Sequence, residues 1–417
     1  MVVGEFTQDT DILVLGGGPG GYAAAFRAAE LGRSVLLLDP RSSLGGSCLH
    51  EGCIPTKTRL HRSASGMEAG DRGSRAIQIL TGGLAARMKT LGIEHVPGTG
   101  HFEDSRTVQV TGEHVSRVRF KRAIIAAGSR AARRDDLPGA LTPEETAVIE
   151  NIPGRCIVVG NDYLAIEAAT MLIGEGAATT LACEGVLLPD LPRPLVEPLL
   201  RSLKKSGVAL HEGPLGSVNA DLIVDCSSRV PGTDGLRLEQ AKIQVDPSGW
   251  IKVDEQQRTS EQRIFAVGDI TGPPHLAGVA LAQGRVAAEA ICGQPSAYEP
   301  AAVPNVVYSD PNIAWCGCLD AGSGSSLTSV PWGFSGRAVG MDATRGVTML
   351  HWERDSGLVL GVGICGTEAC ELIETAVLAI EMGATLEDLA AIVPAHPTRS
   401  ELLGEAARAA LIEQSTP

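Results

Sequence analysis

The stretch that decides the fold is DILVLGGGPGGYAAAFRAAELGRSVLLLD, residues 11–39. Its apolar run DILVL predicts a buried strand, the glycine-rich turn leads into a helix, and SVLLLD predicts a second strand that ends at Asp39. Gly16, Gly18 and Gly21 fit the pattern G-x-G-x-x-G. In such a unit the glycines permit the turn, the approach of a pyrophosphate and close helix packing, and the acid can bind a ribose hydroxyl. The stretch therefore predicts a dinucleotide-binding β–α–β unit.

A second unit of the same kind begins about 140 residues later, at the strand-like run CIVVG of residues 156–160. A predicted helix (NDYLAIEAATMLIGEG) and a predicted strand (TTLACE) follow it. Residues 303–417 differ in character, because strand-like runs (VTMLHW, LVLGVGIC) come first and helices come last. This order predicts an α/β protein with a C-terminal α+β portion.

The composition excludes several classes of protein. The chain has 417 residues, 50 of them glycine and 3% aromatic, which is typical of an α/β protein of two or three domains. Its formal charge of −14 argues against a nucleic-acid partner and against docking on anionic lipid. It has no apolar run of 18 residues, so no transmembrane helix is predicted. The N-terminus lacks the features of a secretory signal, which predicts a cytoplasmic protein whose ten cysteines are mostly thiols.

Two cysteines stand close together in GGSCLHEGCIPTK, residues 45–57. At the start of a helix, positions i and i+5 such as Cys48 and Cys53 can approach closely enough for a disulfide, and a helix N-terminus favours a thiolate. Two unrelated buried thiols, or half of a zinc site, are the alternatives. The other cysteine pairs, Cys316/Cys318 and Cys365/Cys370, lack the usual C-x2-C spacing of a zinc site, so a redox disulfide is the preferred interpretation.

These motifs resemble the flavin-dependent pyridine nucleotide–disulfide oxidoreductases, and most closely the dihydrolipoamide dehydrogenases. The resemblance extends through most of the chain. Further segments that carry it are AIIAAGSR at 123–130, IFAVGDITG at 264–272, VPNVVYSDPNIAWCG from 303 and AHPTRSE at 395–401. It implies two Rossmann-like FAD- and NAD(P)-binding domains plus a C-terminal α+β dimerisation domain. The predicted boundaries are 1–146 with 256–298 for the FAD domain, 147–255 for a reduced NAD(P)-binding-like domain and 299–417 for the dimerisation domain.

The resemblance also implies FAD as the cofactor and assigns residues to it. Lys57 would lie close to the flavin and pair with Glu167, Asp269 would bind the flavin chain, and Ala277 would lie near the flavin ring. Tyr163 matches a position where some relatives place a tyrosine over the flavin. The full predicted set of cofactor-binding residues is Gly16, Gly18, Gly21, Asp39, Gly46, Ser47, Lys57, Gly100, Gly128, Tyr163, Glu167, Asp269 and Ala277.

The same resemblance implies the catalytic groups. Cys53 would be the sulfur that contacts the flavin, and Cys48 the thiol that reacts with substrate. His396 would be the general acid/base, oriented by Glu401, since histidine exchanges a proton near neutral pH. In this family the base comes from the second subunit, so a homodimer is implied. Considered alone, His396 and Glu401 are better interpreted as ordinary residues at a helix start; together with Cys48 and Cys53 they favour catalysis.

The second glycine turn departs from the family pattern, because it reads Gly160-Asn-Asp-Tyr-Leu-Ala165. Asp162 replaces the second glycine, and its charge beside a pyrophosphate would cost roughly 1–4 kcal/mol. Alternatively, its side chain turns outward as a helix N-cap and only weakens binding. The region that follows Glu184 is also short, and it has no arginine pair suited to a 2′-phosphate. NAD(H) therefore stays open as a cofactor, ahead of NADP.

Three functions follow from these features. The first is a dimeric FAD enzyme that moves two electrons between a dithiol and flavin through Cys48 and Cys53, with a dihydrolipoyl group or lipoyl-carrying protein as the substrate. The second is a dithiol oxidase that uses oxygen or another acceptor in place of NAD. The third is a degenerate, non-catalytic assembly subunit, which the retention of six chemically demanding positions argues against.

Overall fold

The computed structural model describes residues 7–65, 72–112, 116–213 and 219–415, with the side chains of 62–65 and 72 excepted. The chain divides into two compact units. One contains Met1–Thr58, Glu68–Ala132 and Ser228–Glu299, and the other contains Arg59–Met67, Arg133–Ser227 and Pro300–Pro417.

The helices and strands follow the chain in four blocks. The first contains β1 (Thr7–Leu15), α1 (Pro19–Glu30), β2 (Val35–Asp39), α2 (Gly46–His50), α3 (Cys53–Ser65), α4 (Arg72–Leu91), β3 (Glu94–Pro97), β4 (Thr99–Asp104), β5 (Thr107–Thr111), β6 (Arg117–Ile125) and β7 (Ser129–Ala131). The second contains α5 (Pro143–Val148), β8 (Arg155–Val159), α6 (Tyr163–Gly174), β9 (Ala178–Cys183), α7 (Arg193–Ser206), β10 (Ala209–Glu212) and β11 (Leu222–Asp225). The third contains β12 (Arg229–Pro231), β13 (Ile264–Ala266) and α8 (Ala277–Ile291). The fourth contains β14 (Asn305–Val307), β15 (Asn312–Gly317), β16 (Ser325–Pro331), α9 (Gly336–Gly340), β17 (Val347–Glu353), β18 (Val359–Gly366), α10 (Ala369–Glu381), α11 (Leu386–Ala391) and α12 (Glu401–Gln414).

The first unit is built on a mixed sheet in the order β3-β2-β1-β6-β5-β4, with β13 also paired to β6. Strand β1 runs parallel to both β2 and β6, so α1 must cross over the sheet between β1 and β2. All five residues of β2 are buried because apolar clusters cover both faces of the sheet. A strand buried on both faces reads as a continuous apolar run, and this explains DILVL and VLLLD.

The second unit contains two sheets. One is a four-stranded parallel sheet in the order β10-β9-β8-β11, with α6 packed on it. The other is a five-stranded antiparallel sheet in the order β14-β15-β18-β17-β16, with α10 and α12 packed against it. The predicted class, α/β with two Rossmann-like portions and a C-terminal α+β portion, is confirmed. The three-domain boundaries stay a prediction.

The cysteine pair corrects one expectation from the sequence. Cys48 and Cys53 do not share a helix start, because α2 ends at His50 and α3 begins at Cys53. The N–H groups of Glu51 and Gly52 both donate to the carbonyl of Ser47, at 2.9 and 2.7 Å, and this tight turn separates the helices. The turn, and not the rise of one helix, brings the two sulfurs together.

Candidate functional site

The turn between β1 and α1 is open to a phosphate. A Cβ on Gly16, whose φ is +107°, would lie 2.3 Å from the carbonyl oxygen of Ala126, and one on Gly21 would lie 1.8 Å from the oxygen of Gly16. Gly18 is the N-cap of α1, where no side chain caps the helix and no acidic residue stands in the first turn. The first N–H groups of α1 are thus left without a side-chain acceptor, which is the arrangement that binds phosphate at a helix N-terminus.

Asp39 lies beside this turn at the carboxyl end of β2. Its carboxylate is buried and accepts hydrogen bonds from the backbone N–H of Gly17 at 2.6 Å and of Arg41 at 2.8 Å. Each carboxylate oxygen has a second lone pair. Asp39 is therefore held against the glycine turn and can still accept a hydrogen bond from a ribose hydroxyl.

The segment that carries the first cysteine lies on the same turn. The N–H of Gly45 donates to the carbonyl of Gly17 at 2.8 Å. Gly46 has φ of +56°, and a Cβ there would lie 2.7 Å from the Cα of Gly18. A side chain at Gly46 would therefore push α2 away from the phosphate-binding turn.

We expect Gly46→Ala to weaken FAD binding by at least roughly tenfold, because the added methyl collides with backbone at a left-handed residue. Fluorescence titration of the FAD-free protein with FAD measures this. Gly82→Ala is the matched control, since a Cβ on Gly82 of α4 meets nothing within 4 Å. Wild-type FAD affinity in Gly46→Ala would contradict the placement of the cofactor on this turn.

The two cysteines form one chemical unit. Both side chains are thiols and partly buried, and they are hydrogen-bonded to each other. That hydrogen bond is the main reason why the pKa of Cys48 lies well above its ordinary value; burial and negative charge on Cys53 and Asp269 add to it, and the charge of Lys57 opposes it. Cys48 therefore keeps its proton, and its S–H donates a hydrogen bond to the sulfur of Cys53.

Residues between and beside the cysteines anchor the pair. Glu51 forms an ion pair with Arg41 at 2.6 Å, and His50 Nε2 lies 3.1 Å from the carbonyl oxygen of Leu44. Tyr22 of α1 was not singled out from the sequence. Burial raises its pKa, and negative charge on Cys48 and Cys53 raises it further, so its hydroxyl lies within electrostatic range of the dithiol.

A hydrogen-bonded chain ends at Asp269, in the 3₁₀ turn Gly268–Thr271. The hydroxyl of Ser129 donates to Asp269 Oδ2 at 2.7 Å, and Arg229 Nε donates to that hydroxyl at 2.8 Å. The sequence prediction missed Ser129 and Arg229, although Ser129 stands in AIIAAGSR, a segment that carries the resemblance. The chain fixes the carboxylate that is expected to bind the flavin chain.

The other predicted positions in this unit lie on the elements around these groups. Gly128 has φ of +71° directly before Ser129, and Ala277 is the first residue of α8. Gly100 lies on β4, where a Cβ would come within 2.6 Å of Leu38 and 2.7 Å of Val108. Only glycine fits there without displacing the core beneath it.

In the second unit, the turn between β8 and α6 differs from its counterpart. Gly160 keeps the glycine role, with φ of +145° and a Cβ position 3.1 Å from Cβ of Cys226. Asp162 is the N-cap of α6, and its Oδ1 accepts from the N–H groups of Leu164 at 3.0 Å and Ala165 at 3.3 Å. The carboxylate is therefore the N-cap of α6, as the alternative interpretation predicted, and it takes up the first N–H groups of that helix.

Two further predicted residues lie on α6. Tyr163 is its first residue and is partly buried against the core of the parallel sheet. Glu167 is buried, with 2% exposure, and accepts a hydrogen bond from the N–H of Tyr308 at 3.1 Å. Lys57 and Glu167 belong to different compact units, so their predicted ion pair stays a prediction.

His396 and Glu401 are adjacent at the start of α12. His396 Nδ1 lies 3.3 Å from Glu401 Oε2, and the imidazole is 78% exposed. The backbone N–H of Thr398 donates to Glu401 at 2.5 Å, and this bond, together with His396, lowers the pKa of the carboxyl group. An ionised Glu401 accepts from Nδ1–H and leaves Nε2 as the ring nitrogen that can take a proton.

Comparison with known proteins decides the family. Residues 10–215 and 210–284 match the sequence pattern described as pyridine nucleotide-disulphide oxidoreductase, and residues 303–407 match the dimerisation domain of the same description. The chain belongs to the pyridine nucleotide-disulphide oxidoreductase family. It is therefore an oxidoreductase enzyme, and the family binds FAD.

Individual relatives agree with this membership. Dihydrolipoyl dehydrogenase of Geobacillus stearothermophilus is 36% identical over an alignment of 468 residues, which covers 99% of this chain and 98% of the relative. The Bacillus subtilis enzyme of that name is 35% identical over 466 residues, covering 99% and 98%. These alignments are longer than the chain itself, so family members contain segments that this chain lacks.

Solved structures share the architecture. LpdA of Mycobacterium tuberculosis superposes with a TM-score of 0.86 at 25% identity, covering 96% of this chain and 99% of that one. The HOCl-induced flavoprotein disulfide reductase RclA of Escherichia coli superposes with a TM-score of 0.87 at 22% identity, covering 95% and 99%. At 22% identity, the likeness to RclA shows a shared fold alone.

The FAD of the family fits the first unit. The uncapped start of α1, the carboxylate of Asp39 and the crowded glycines Gly16 and Gly46 form a cradle in which added side chains would collide. Within the described ranges, no group of three or more His, Cys, Asp or Glu side chains is placed to hold a metal ion. In the same part of the chain, no helix combines the length and apolarity that a bilayer-crossing segment needs.

Proposed function

We propose that this chain is a FAD-dependent dithiol oxidoreductase of the cytoplasm that acts as a homodimer. It exchanges two electrons between a dihydrolipoyl-like dithiol and flavin through the Cys48–Cys53 disulfide, with His396 as the general acid/base. The observation that carries the proposal is the hydrogen-bonded thiol pair on α2 and α3, placed beside the glycine turn and within the fields of Lys57 and Asp269. The names of the relatives support a lipoyl-like substrate.

The first half-reaction begins at the oxidised pair. His396 of the partner subunit takes the proton of one substrate thiol, and the resulting thiolate attacks the sulfur of Cys48. The bond between Cys48 and Cys53 breaks, a mixed disulfide forms, and Cys53 leaves as the thiolate. The second substrate thiol then attacks the first substrate sulfur and releases Cys48, which takes up the second proton. The products are one substrate disulfide and two reduced enzyme sulfurs. Of the two protons that the substrate loses, His396 holds one and Cys48 the other.

The raised pKa of Cys48 agrees with these roles. A thiol that keeps its proton at neutral pH is a poor nucleophile on its own, so the return reaction requires a base at its side. Cys53 accepts the hydrogen bond from Cys48. Bound FAD would supply the two-electron acceptor next to Cys53.

The test is anaerobic mixing of the purified holoenzyme with dihydrolipoamide while the flavin absorbance is followed. We expect the first equivalent of dithiol to reduce the disulfide and to give a thiolate–flavin absorbance band, and excess dithiol to bleach the flavin. An unchanged spectrum would refute the proposal and favour the non-catalytic assembly subunit. That alternative is disfavoured by the retention of Cys48, Cys53, Lys57, Glu167, His396 and Glu401.

A second candidate concerns the electron acceptor. The Asp162 cap on α6 favours a dithiol oxidase that does not use a nicotinamide nucleotide.

A further inference from the structure

In an open α/β sheet, ligands bind in the crevice outside the carboxyl ends of the parallel strands. In the second unit this edge includes the turn after β8 and the residues that follow β9 and β11. Three features of the chain itself occupy or charge that edge.

The first feature is the Asp162 carboxylate on α6. It takes the N–H groups of Leu164 and Ala165, at 3.0 and 3.3 Å. These donors and the positive end of the helix dipole are what a pyrophosphate binds. The start of α1 has no such cap, so the two glycine turns differ at the point where they would contact a dinucleotide.

The second feature is the segment after β9. The N–H of Leu188 donates to the carbonyl of Asn161 at 2.9 Å, which places this segment directly on the glycine turn. Leu187 and Leu188 are 5% and 7% exposed. Leu188 has φ of +50°, a left-handed conformation that is uncommon for leucine and is kept here by burial.

The third feature is the charge of the edge. The thiol of Cys226, which follows β11, is fully buried, and this burial is the main cause of its strongly raised pKa. Asp162, Asp225 and Glu144 raise that pKa further, so all three carboxylates lie within electrostatic range of the thiol. Among these carboxylates, that of Asp162 lies on the glycine turn itself, where it repels the two phosphates of a dinucleotide.

We propose that the nicotinamide crevice of this enzyme is closed by Asp162 and the Leu187–Leu188 segment, and that dioxygen is the electron acceptor in place of NAD(P). Dioxygen is small and neutral, so it needs no anion-binding site. In this chain the carboxylate of Asp162 fills the anion-binding site at the start of α6. The part of this inference that concerns oxidation of the dithiol rests on the proposed function. In the overall reaction two S–H bonds of the dithiol break and one S–S bond forms. The two electrons and two protons convert dioxygen to hydrogen peroxide.

The closed crevice is tested by calorimetric titration of the holoenzyme with NADH. We expect no saturable binding to wild type up to about 1 mM, and at least tenfold tighter binding by Asp162→Gly, which exposes the N–H groups. Asp162→Asn, which keeps a cap without its charge, should gain less. The control is Glu405→Gln, which removes an exposed charge on α12 of the same unit and should change nothing. Micromolar NADH binding by wild type, or no gain in Asp162→Gly, would overturn the assignment.

The acceptor is tested in air without NAD. We expect dihydrolipoamide to consume one equivalent of dioxygen and to yield one equivalent of hydrogen peroxide, with no effect of added NAD. If the dithiol bleaches the flavin under anaerobic conditions but consumes no dioxygen in air, dioxygen is not the electron acceptor. The proposed function then still stands. If the dithiol does not bleach the flavin, the proposed function itself fails.

Discussion

Cys53→Ser is expected to lower the turnover of dithiol oxidation by at least roughly 10³-fold, because a hydroxyl cannot form the disulfide that receives the electrons. The same change replaces an ionisable thiol with a hydroxyl that stays neutral, so the negative charge on Cys53 that helps to raise the pKa of Cys48 is lost. The pKa of Cys48 should therefore fall toward its ordinary value. Steady-state turnover and a pH titration of the thiolate absorbance measure the two effects.

The control for this prediction is Cys318→Ser, which changes an exposed thiol in the other compact unit and should leave turnover unchanged. A thiolate–flavin absorbance band should also disappear in reduced Cys53→Ser and persist in reduced Cys48→Ser. If the band survives without Cys53, the roles of the two sulfurs are reversed. If turnover survives, the disulfide is not on the reaction path.

His396→Ala is expected to lower dithiol oxidation by at least about 10²-fold, which is the usual contribution of a positioned acid/base. The imidazole is exposed in the single chain and held by Glu401 at 3.3 Å, so its removal should leave the fold intact. The loss of turnover should diminish as pH rises, because more of the dithiol is then already ionised in solution. An ionised dithiol needs no base on the enzyme. A pH–rate profile of the variant against wild type shows this.

Two further variants separate catalysis from structure at this position. Glu401→Gln should give a smaller loss than His396→Ala, because the amide can still accept from Nδ1 but no longer stabilises a charged imidazole. His101→Ala should be neutral, since that half-buried histidine is hydrogen-bonded to Gln109 on the neighbouring strand. Turnover of His396→Ala equal to that of wild type would remove His396 from the mechanism.

Local sequence features were enough to predict the glycine turn. Gly16, Gly18, Gly21 and Asp39 lie within one continuous β–α–β unit, so their spacing along the chain sets their spacing in space. The predicted strand end at Asp39 is confirmed for the same reason. Asp162 was recognised as a departure from the glycine pattern, but two orientations of its carboxylate were compatible with the sequence. Only the hydrogen bonds from the first N–H groups of α6 distinguish them.

The arrangement of the cysteines shows where local reasoning ends. A five-residue separation suggested one helix, whereas the turn at Ser47 and Gly52 divides it into two. Ser129 and Arg229 are 100 residues apart and meet through the pairing of β7 with β12. No spacing rule could have joined them, because the contact depends on the strand pairing of the folded unit.

The sequence by itself determined the family, the order of the elements and the glycines of the first turn, because these depend on short-range backbone sterics and on hydrophobic periodicity. The tertiary structure alone decided three other properties. It gave Cys48 a high pKa through its contact with Cys53, fixed Asp269 through Ser129 and Arg229, and laid Leu188 on the second glycine turn. Each of these depends on burial and on hydrogen bonds between separate segments, which exist only after the sheets have formed.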